Sequence, residues 1–266
     1  RVNMRITNNT KQGAHFLCID SIDPQHVCMI QARLVCEKLV GDIESNVEFC
    51  VDSNILNTCL KSIPPHYSLD LIKPEGGVDI KICAYETLSN SHCLTFDLST
   101  LCDDSETMQL TDMEYKYTVE IDLGTLRQIV KMAMALHSST IEMRVQGTPG
   151  VPSQSANQTI LSISARGDAA LTHEFFSATV QEDGEGDSCI IRAATDSTSS
   201  VLNRGALVEM YSDAFSAQYM TFFLKSMERQ MITMKLSKDK PLIMHYPLGA
   251  EASYICFVLA PKTVDE

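Results

Sequence analysis

The 266-residue sequence has no tryptophan, and aromatic residues make up only 6% of it. Basic residues are scarce as well: 21 lysines and arginines stand against 34 acidic residues, a formal net charge of −13. Proteins that coat nucleic acid by bulk attraction are basic, so that mode of binding is excluded. No apolar run reaches the length of a membrane-spanning helix, and no signal peptide is read at the start. No two of the ten cysteines form a Cys-x-x-Cys pair. They are scattered through apolar strands and helices, as at Cys50, Cys59 and Cys256, which suits small buried thiols in a reducing compartment. Phosphate-cradling glycine motifs, His-Glu-x-x-His and Gly-x-Ser-x-Gly are all missing, so no cofactor or metal is expected. The acidic glycine loop 181–188 (QEDGEGDS) lacks the ligand alternation and the final glutamate of a calcium loop.

What is present is a repeat. In 207–236, LVEMYSDAFSAQYMTFFLKSMERQMITMKL, the pattern predicts a strand (207–211), a Ser212-Asp213 start signal, a helix (214–226) and a strand (231–236). Phe215, Tyr219, Phe222 and Phe223 form an apolar stripe on that helix, with Gln218, Thr221 and Lys225 opposite. The stretch 47–71 repeats the unit: Asp52-Ser53 caps a helix burying Ile55, Leu56, Cys59, Leu60 and Ile63, and Pro64-Pro65 stops it. Its outward residues are Asn54, Thr58 and Lys61. The third copy, 117–145, has Asp122 as cap, Leu126, Ile129, Val130 and Ala133 inside, and Arg127, Gln128 and Lys131 outside. Each helix alone is an ordinary amphipathic helix; an outward lysine in all three is the unusual feature. The copies are unevenly spaced, so this is an internal duplication with variable loops.

Further strands are expected at 2–6, 16–19, 27–34, 78–84, 93–98, 159–164, 169–174, 177–180 and 189–194. Between the repeats lies 97–115, DLSTLCDDSETMQLTDMEY, with six acidic residues and no basic one. Its apolar residues Leu101, Met108, Leu110 and Met113 follow no helical stripe.

FSAQYMTFFLKSM, KDKPLIMHY, the terminal YICFVLAPK and the early IDSIDPQHVCMIQARL resemble the sliding clamps of the proliferating cell nuclear antigen family. The Asp-x-x-His-Val core stands as Asp23, His26 and Val27, and Leu259-Ala260-Pro261-Lys262 is the most specific match. The resemblance implies an α+β DNA clamp (processivity) fold of two similar domains, each of repeated strand-helix-strand modules. These would be 1–98 and 116–266, joined by an interdomain connector, 99–115. Family members begin with a further strand and helix, for which no counterpart is read here. Three subunits would close head to tail through strand edges 92–96 and 189–193. The implied function is a ring encircling duplex DNA, a polymerase processivity factor recruiting replication and repair proteins in the nucleus (or at a viral replication site), opened by a clamp loader and catalysing nothing. DNA would meet Lys61, Arg127, Lys131 and Lys225; Thr58, Gln128, Ala135 and Gln218 replace family basics. A groove lined by Ile22, His26, Val27, Met29, Met108, Leu110, Pro241, Val258, Leu259, Ala260 and Pro261 would take partner peptides carrying an apolar plug and an aromatic pair. Val258 and Thr111 depart from the family's tyrosine and proline. The alternatives are a subunit of a checkpoint-type heterotrimeric clamp and, from another class, a Cys/His hydrolase.

Overall fold

The computed structural model describes residues 1–9, 14–40, 47–74, 77, 79–86, 93–101, 113–147, 159–177, 189–192, 208–225, 231–249 and 252–262. The acidic glycine loop 181–188 and most of the acidic connector, Met108 and Leu110 included, lie outside these residues. The chain forms two compact units: Arg1–Ser21 with Gln31–Gln109, and Ile22–Ile30 with Leu110–Glu266.

In the first unit, β1 (Val2–Asn9) pairs antiparallel with β2 (Ala14–Ile22) on one side and β4 (Val47–Val51) on the other. β3 (Cys28–Cys36) lies next to β2 in the sheet order. A second sheet has the order β5-β6-β7, from Tyr67–Ile72, Asp79–Glu86 and Cys93–Ser99. Between β4 and β5 runs α1 (Ser53–Ser62), which starts because the Asp52 carboxylate accepts the free amides of Asn54 (2.8 Å) and Ile55 (3.1 Å). Met4, Phe49, Val51, Leu56, Ile80, Ile82 and Leu98 make the core. On α1 only Leu56 is fully buried, with Cys59 and Ile63 packed beside it. Ile55 and Leu60, expected inside, are 56% and 42% exposed, so the buried stripe is narrower than the pattern suggested.

The second unit holds a sheet of order β12-β8-β14-β15-β16: Cys189–Arg192, Tyr117–Asp122, Met231–Leu236, Leu242–Pro247 and Tyr254–Leu259. A four-stranded sheet has the order β11-β10-β9-β13, from Ala170–Ser177, Thr159–Arg166, Thr140–Gly147 and Val208–Ser216. β11 runs unbroken where two strands, 169–174 and 177–180, were expected, because its ladder with β10 continues from Ala170 to Ser177. Strands from both sheets and the helices α2 (Leu123–Ala135) and α3 (Ala217–Lys225) share one apolar core.

As expected, Leu126, Ile129, Val130 and Ala133 of α2 are buried, and Asp122 caps it, taking the Thr125 amide at 2.7 Å and its hydroxyl at 3.0 Å. Beyond the helix, His137 turns to φ +55 and the Ser138 amide returns to the Ala133 carbonyl at 3.0 Å. The turn between β10 and β11 closes on this end through the Asp168 amide and the Leu136 carbonyl, 2.9 Å apart. A Cβ on Gly167 would lie 1.9 Å from that carbonyl, so only glycine fits there.

α3 departs from expectation. Asp213 is no cap: it pairs with Met143 inside β13, whose ladder with β9 runs on to Ser216 and Thr140. Phe215 is therefore a strand residue, fully buried, and the helix begins at Ala217. The Ala217 amide finds its acceptor in the Ser139 carbonyl at 3.1 Å. Met220, Phe223 and Leu224 face inward, and Phe223 stacks on Phe257 at 4.6 Å. Phe222, expected in the buried stripe, is 59% exposed.

Candidate functional site

The polar faces of the helices come first. Lys61 in the last turn of α1, Lys131 on α2 and Lys225 at the end of α3 are all exposed. Cations in a last turn also offset the negative end of the helix dipole, at α1 and α3. Gln128 and Gln218 are exposed too, whereas the exposed Thr58 turns its hydroxyl back to the Asn54 carbonyl at 2.8 Å. Arg127 differs. It is half-buried, and its Nε donates to the Leu224 carbonyl at 2.9 Å, tying α2 to the end of α3.

The described part of the expected groove lies within the second unit. β15 and β16 alternate their side chains between two faces: Leu242, Met244, Phe257 and Leu259 enter the main core. On the opposite face Cys256 and Val258 join Met29, with Ile22, Ile243 and Tyr254 packed against them. Leu259 is thus fully buried and faces away from Val258, while Val258 itself is 9% exposed. Ala260 and Pro261 are half-exposed beyond the strand. The Ala260 amide donates to the Val27 carbonyl at 2.9 Å.

The Val27 side chain packs on the main core. Its position follows from the turn before it. The Asp23 amide donates to the Cys28 carbonyl (3.0 Å), and the Asp23 carboxylate takes the amides of Cys28 (2.6 Å) and Gln25 (3.1 Å). His26, exposed, closes the turn at φ +57. Burial works to raise the Asp23 carboxyl, but the Cys28 amide, the Tyr219 hydroxyl and the Gln25 and Val27 amides outweigh it and hold it below its usual range.

The far end of the groove is held from two sides. Pro241 lends its carbonyl to the Tyr115 hydroxyl at 3.1 Å, where the chain leaves the connector. Burial pushes that phenol up to about 12. The Lys240 ammonium donates to the Glu114 carbonyl and lies 5.6 Å from the Tyr115 ring centre. Lys262 anchors the C-terminal side: its amide reaches the Ala214 carbonyl (2.7 Å) and its Nζ the Thr140 hydroxyl (2.8 Å). Sequence reasoning gave Lys262, Tyr115 and Tyr219 no role in this site. A fixed anchor and a free surface residue look alike in sequence until their partners from distant segments are known.

Two thiols of this site, Cys28 and Cys256, are shifted away from nucleophilic chemistry. Burial pushes Cys28 up to about 11, with the Asp23 charge adding, and Cys256 up to about 11. A nucleophilic cysteine needs the opposite shift. His245 is the cross-strand partner of Cys256, yet burial and the nearby Lys235 hold its imidazole below the ordinary value. Among the described residues no group of three or more His, Cys, Asp or Glu side chains could hold a metal ion.

None of the protein-family models compared with the chain matches it. The proliferating cell nuclear antigen of Chaetomium thermophilum is 25% identical over 264 residues, 96% of this chain and 91% of that protein. Among solved structures, that of the antigen (PCNA) from Thermococcus kodakaraensis superposes with a TM-score of 0.66 at 17% identity, covering 98% of this chain and 90% of that one. In fold and in the run of its sequence, the chain is similar to sliding clamps of the proliferating cell nuclear antigen type.

Proposed function

We propose that the chain works as a ring-forming sliding clamp that encircles duplex DNA without reading its sequence and tethers a polymerase and other replication or repair proteins. The observation that carries this reading is the exposure of Lys61, Lys131 and Lys225 on the three described helices of a chain whose net charge is −13. A ring needs positive charge only on its inner wall. A few lysines meeting phosphate alone give contacts that are weak, transient and sequence-independent, which is what sliding requires. The edges suit closure: β7 and β12 are the end strands of their sheets among the described residues, and they include 93–96 and 189–192 of the segments expected at the subunit contacts. A strand edge with unused backbone groups is a template for pairing with another chain. Partners dock through short peptides in the groove beside Val27, Met29 and Pro261, a loader opens the ring, the site of action is the nucleus, and no reaction is catalysed.

Light scattering on the purified chain is expected to give three times the chain mass; a monomer mass points instead to a heterotrimer with other subunits. In the triple variant Lys61→Ala, Lys131→Ala and Lys225→Ala, assembly should persist while DNA retention falls. The dependence of binding on salt should flatten by about one ion per lysine. Unchanged retention and an unchanged salt slope refute the reading.

A further inference from the structure

Tyr219 sits on α3 beside the exposed Gln218 and ahead of Lys225 at the end of the helix. Its hydroxyl nevertheless leaves the helix and donates to Asp23 Oδ2 at 3.0 Å, with Gln25 Oε1 at 3.4 Å as a second acceptor. The same carboxylate closes the turn that holds His26 at φ +57, a backbone conformation that side-chained residues adopt only when their surroundings impose it. Directly after the turn, the Val27 carbonyl receives the Ala260 amide. A continuous series of contacts therefore runs from the Tyr219 hydroxyl through Asp23 and Val27 to Ala260 and Pro261.

We infer that Tyr219 is a positioning residue of the partner groove: from the helix that carries Lys225, it fixes the turn that sets the His26 and Val27 wall against Ala260 and Pro261. It touches no peptide itself. A carboxylate whose hydrogen bonds are shared among backbone amides and a hydroxyl keeps one geometry; without the hydroxyl, water takes its place and the turn gains freedom. A groove that must be ordered at the moment of binding binds more weakly than one already ordered.

The inference rests on the groove reading proposed above. The test titrates a synthetic peptide bearing an aliphatic plug and two adjacent aromatic residues into the full chain by calorimetry. Tyr219→Phe is expected to bind roughly threefold to tenfold more weakly, the range for losing one hydrogen bond to a charged group at a solvated position. Gln218→Ala, on the same helix, is expected to bind like wild type. A purely structural role for Tyr219 would lower the thermal midpoint and leave the affinity untouched, so both are measured. Amide hydrogen exchange supplies a readout free of peptide: the Ala260 amide should exchange faster in Tyr219→Phe and at the wild-type rate in Gln218→Ala. Wild type that binds while Tyr219→Phe matches it in affinity and in Ala260 exchange overturns the inference. Wild type that binds no such peptide overturns the groove reading and this inference with it.

Discussion

Replacing Arg127 by alanine distinguishes a cation that holds the fold from one that meets DNA. Arg127 and Lys131 lie one turn apart on α2, and sequence reasoning gives them the same task. The Arg127 Nε is engaged with the Leu224 carbonyl, whereas the Lys131 side chain is exposed. A hydrogen bond from a charged donor contributes about 1.5–3 kcal/mol when desolvated. Arg127 is half-exposed, which scales that toward about 1 kcal/mol. Its charge at the end of α3 adds about 0.3–1 kcal/mol through the helix dipole. Arg127→Ala should therefore cost about 1–2 kcal/mol, lowering the thermal midpoint by about 2–6 °C for a chain of this size class. Lys131→Ala should stay within about 0.5 kcal/mol of wild type. The DNA assay should give the reverse order: Lys131→Ala lowers the salt slope by about one ion, and Arg127→Ala leaves it nearly unchanged. Circular dichroism melts and binding titrations at several salt concentrations measure both quantities. If Arg127→Ala melts with wild type and loses salt dependence as Lys131→Ala does, the assignment of Arg127 to the fold is wrong.

Two further perturbations bear on the fold. Burial raises the Asp213 carboxyl, with Asp239 adding, against the Tyr211 hydroxyl and Lys238. A carboxyl raised in the folded state favours folding while protonated and costs stability as pH climbs from the unfolded value of about 3.9 through the folded one. Asp213→Asn should thus raise the melting midpoint at pH 7, with the gain gone near pH 4; equal midpoints at pH 7 contradict this. In α2, Leu126→Ala should cost about 2–5 kcal/mol because the side chain is fully buried. Asp122→Ala removes only a cap and should cost about 1 kcal/mol in the same urea titration.

The caps show how far sequence carries. Asp52 and Asp122 are legible because the chain turns from strand to helix at the aspartate itself, and the signal is local. Ser212-Asp213 offers the same signal and fails, since β13 keeps pairing with β9 as far as Ser216. A ladder to a distant strand outweighs one capping hydrogen bond, and the first helical amide finds the Ser139 carbonyl instead. Spacing likewise marks Ile55, Leu60 and Phe222 as apolar positions of helices, but the width of the buried stripe depends on what packs there. At the groove, Val258 and Leu259 are adjacent in sequence and belong to opposite faces of β16. The two-residue period of a strand implies that much. What covers the Val258 face is decided by Met29 and Ile22, which arrive from the other end of the chain.

That arrival makes the second unit a split protein. Ile22–Ile30 belongs to it although the rest of the unit begins only at Leu110. During synthesis the early segment emerges long before β16 exists, so the contact between Val27 and Ala260 is among the last that the chain can close. Contacts between such remote positions delay folding more than they weaken it. A fragment beginning after the connector would carry both helices and both sheets of the unit, yet it would leave the Ala260 amide and the Tyr219 hydroxyl without their acceptors and strip Met29 from Val258. Adding the nine-residue segment 22–30 in trans to such a fragment would restore these contacts.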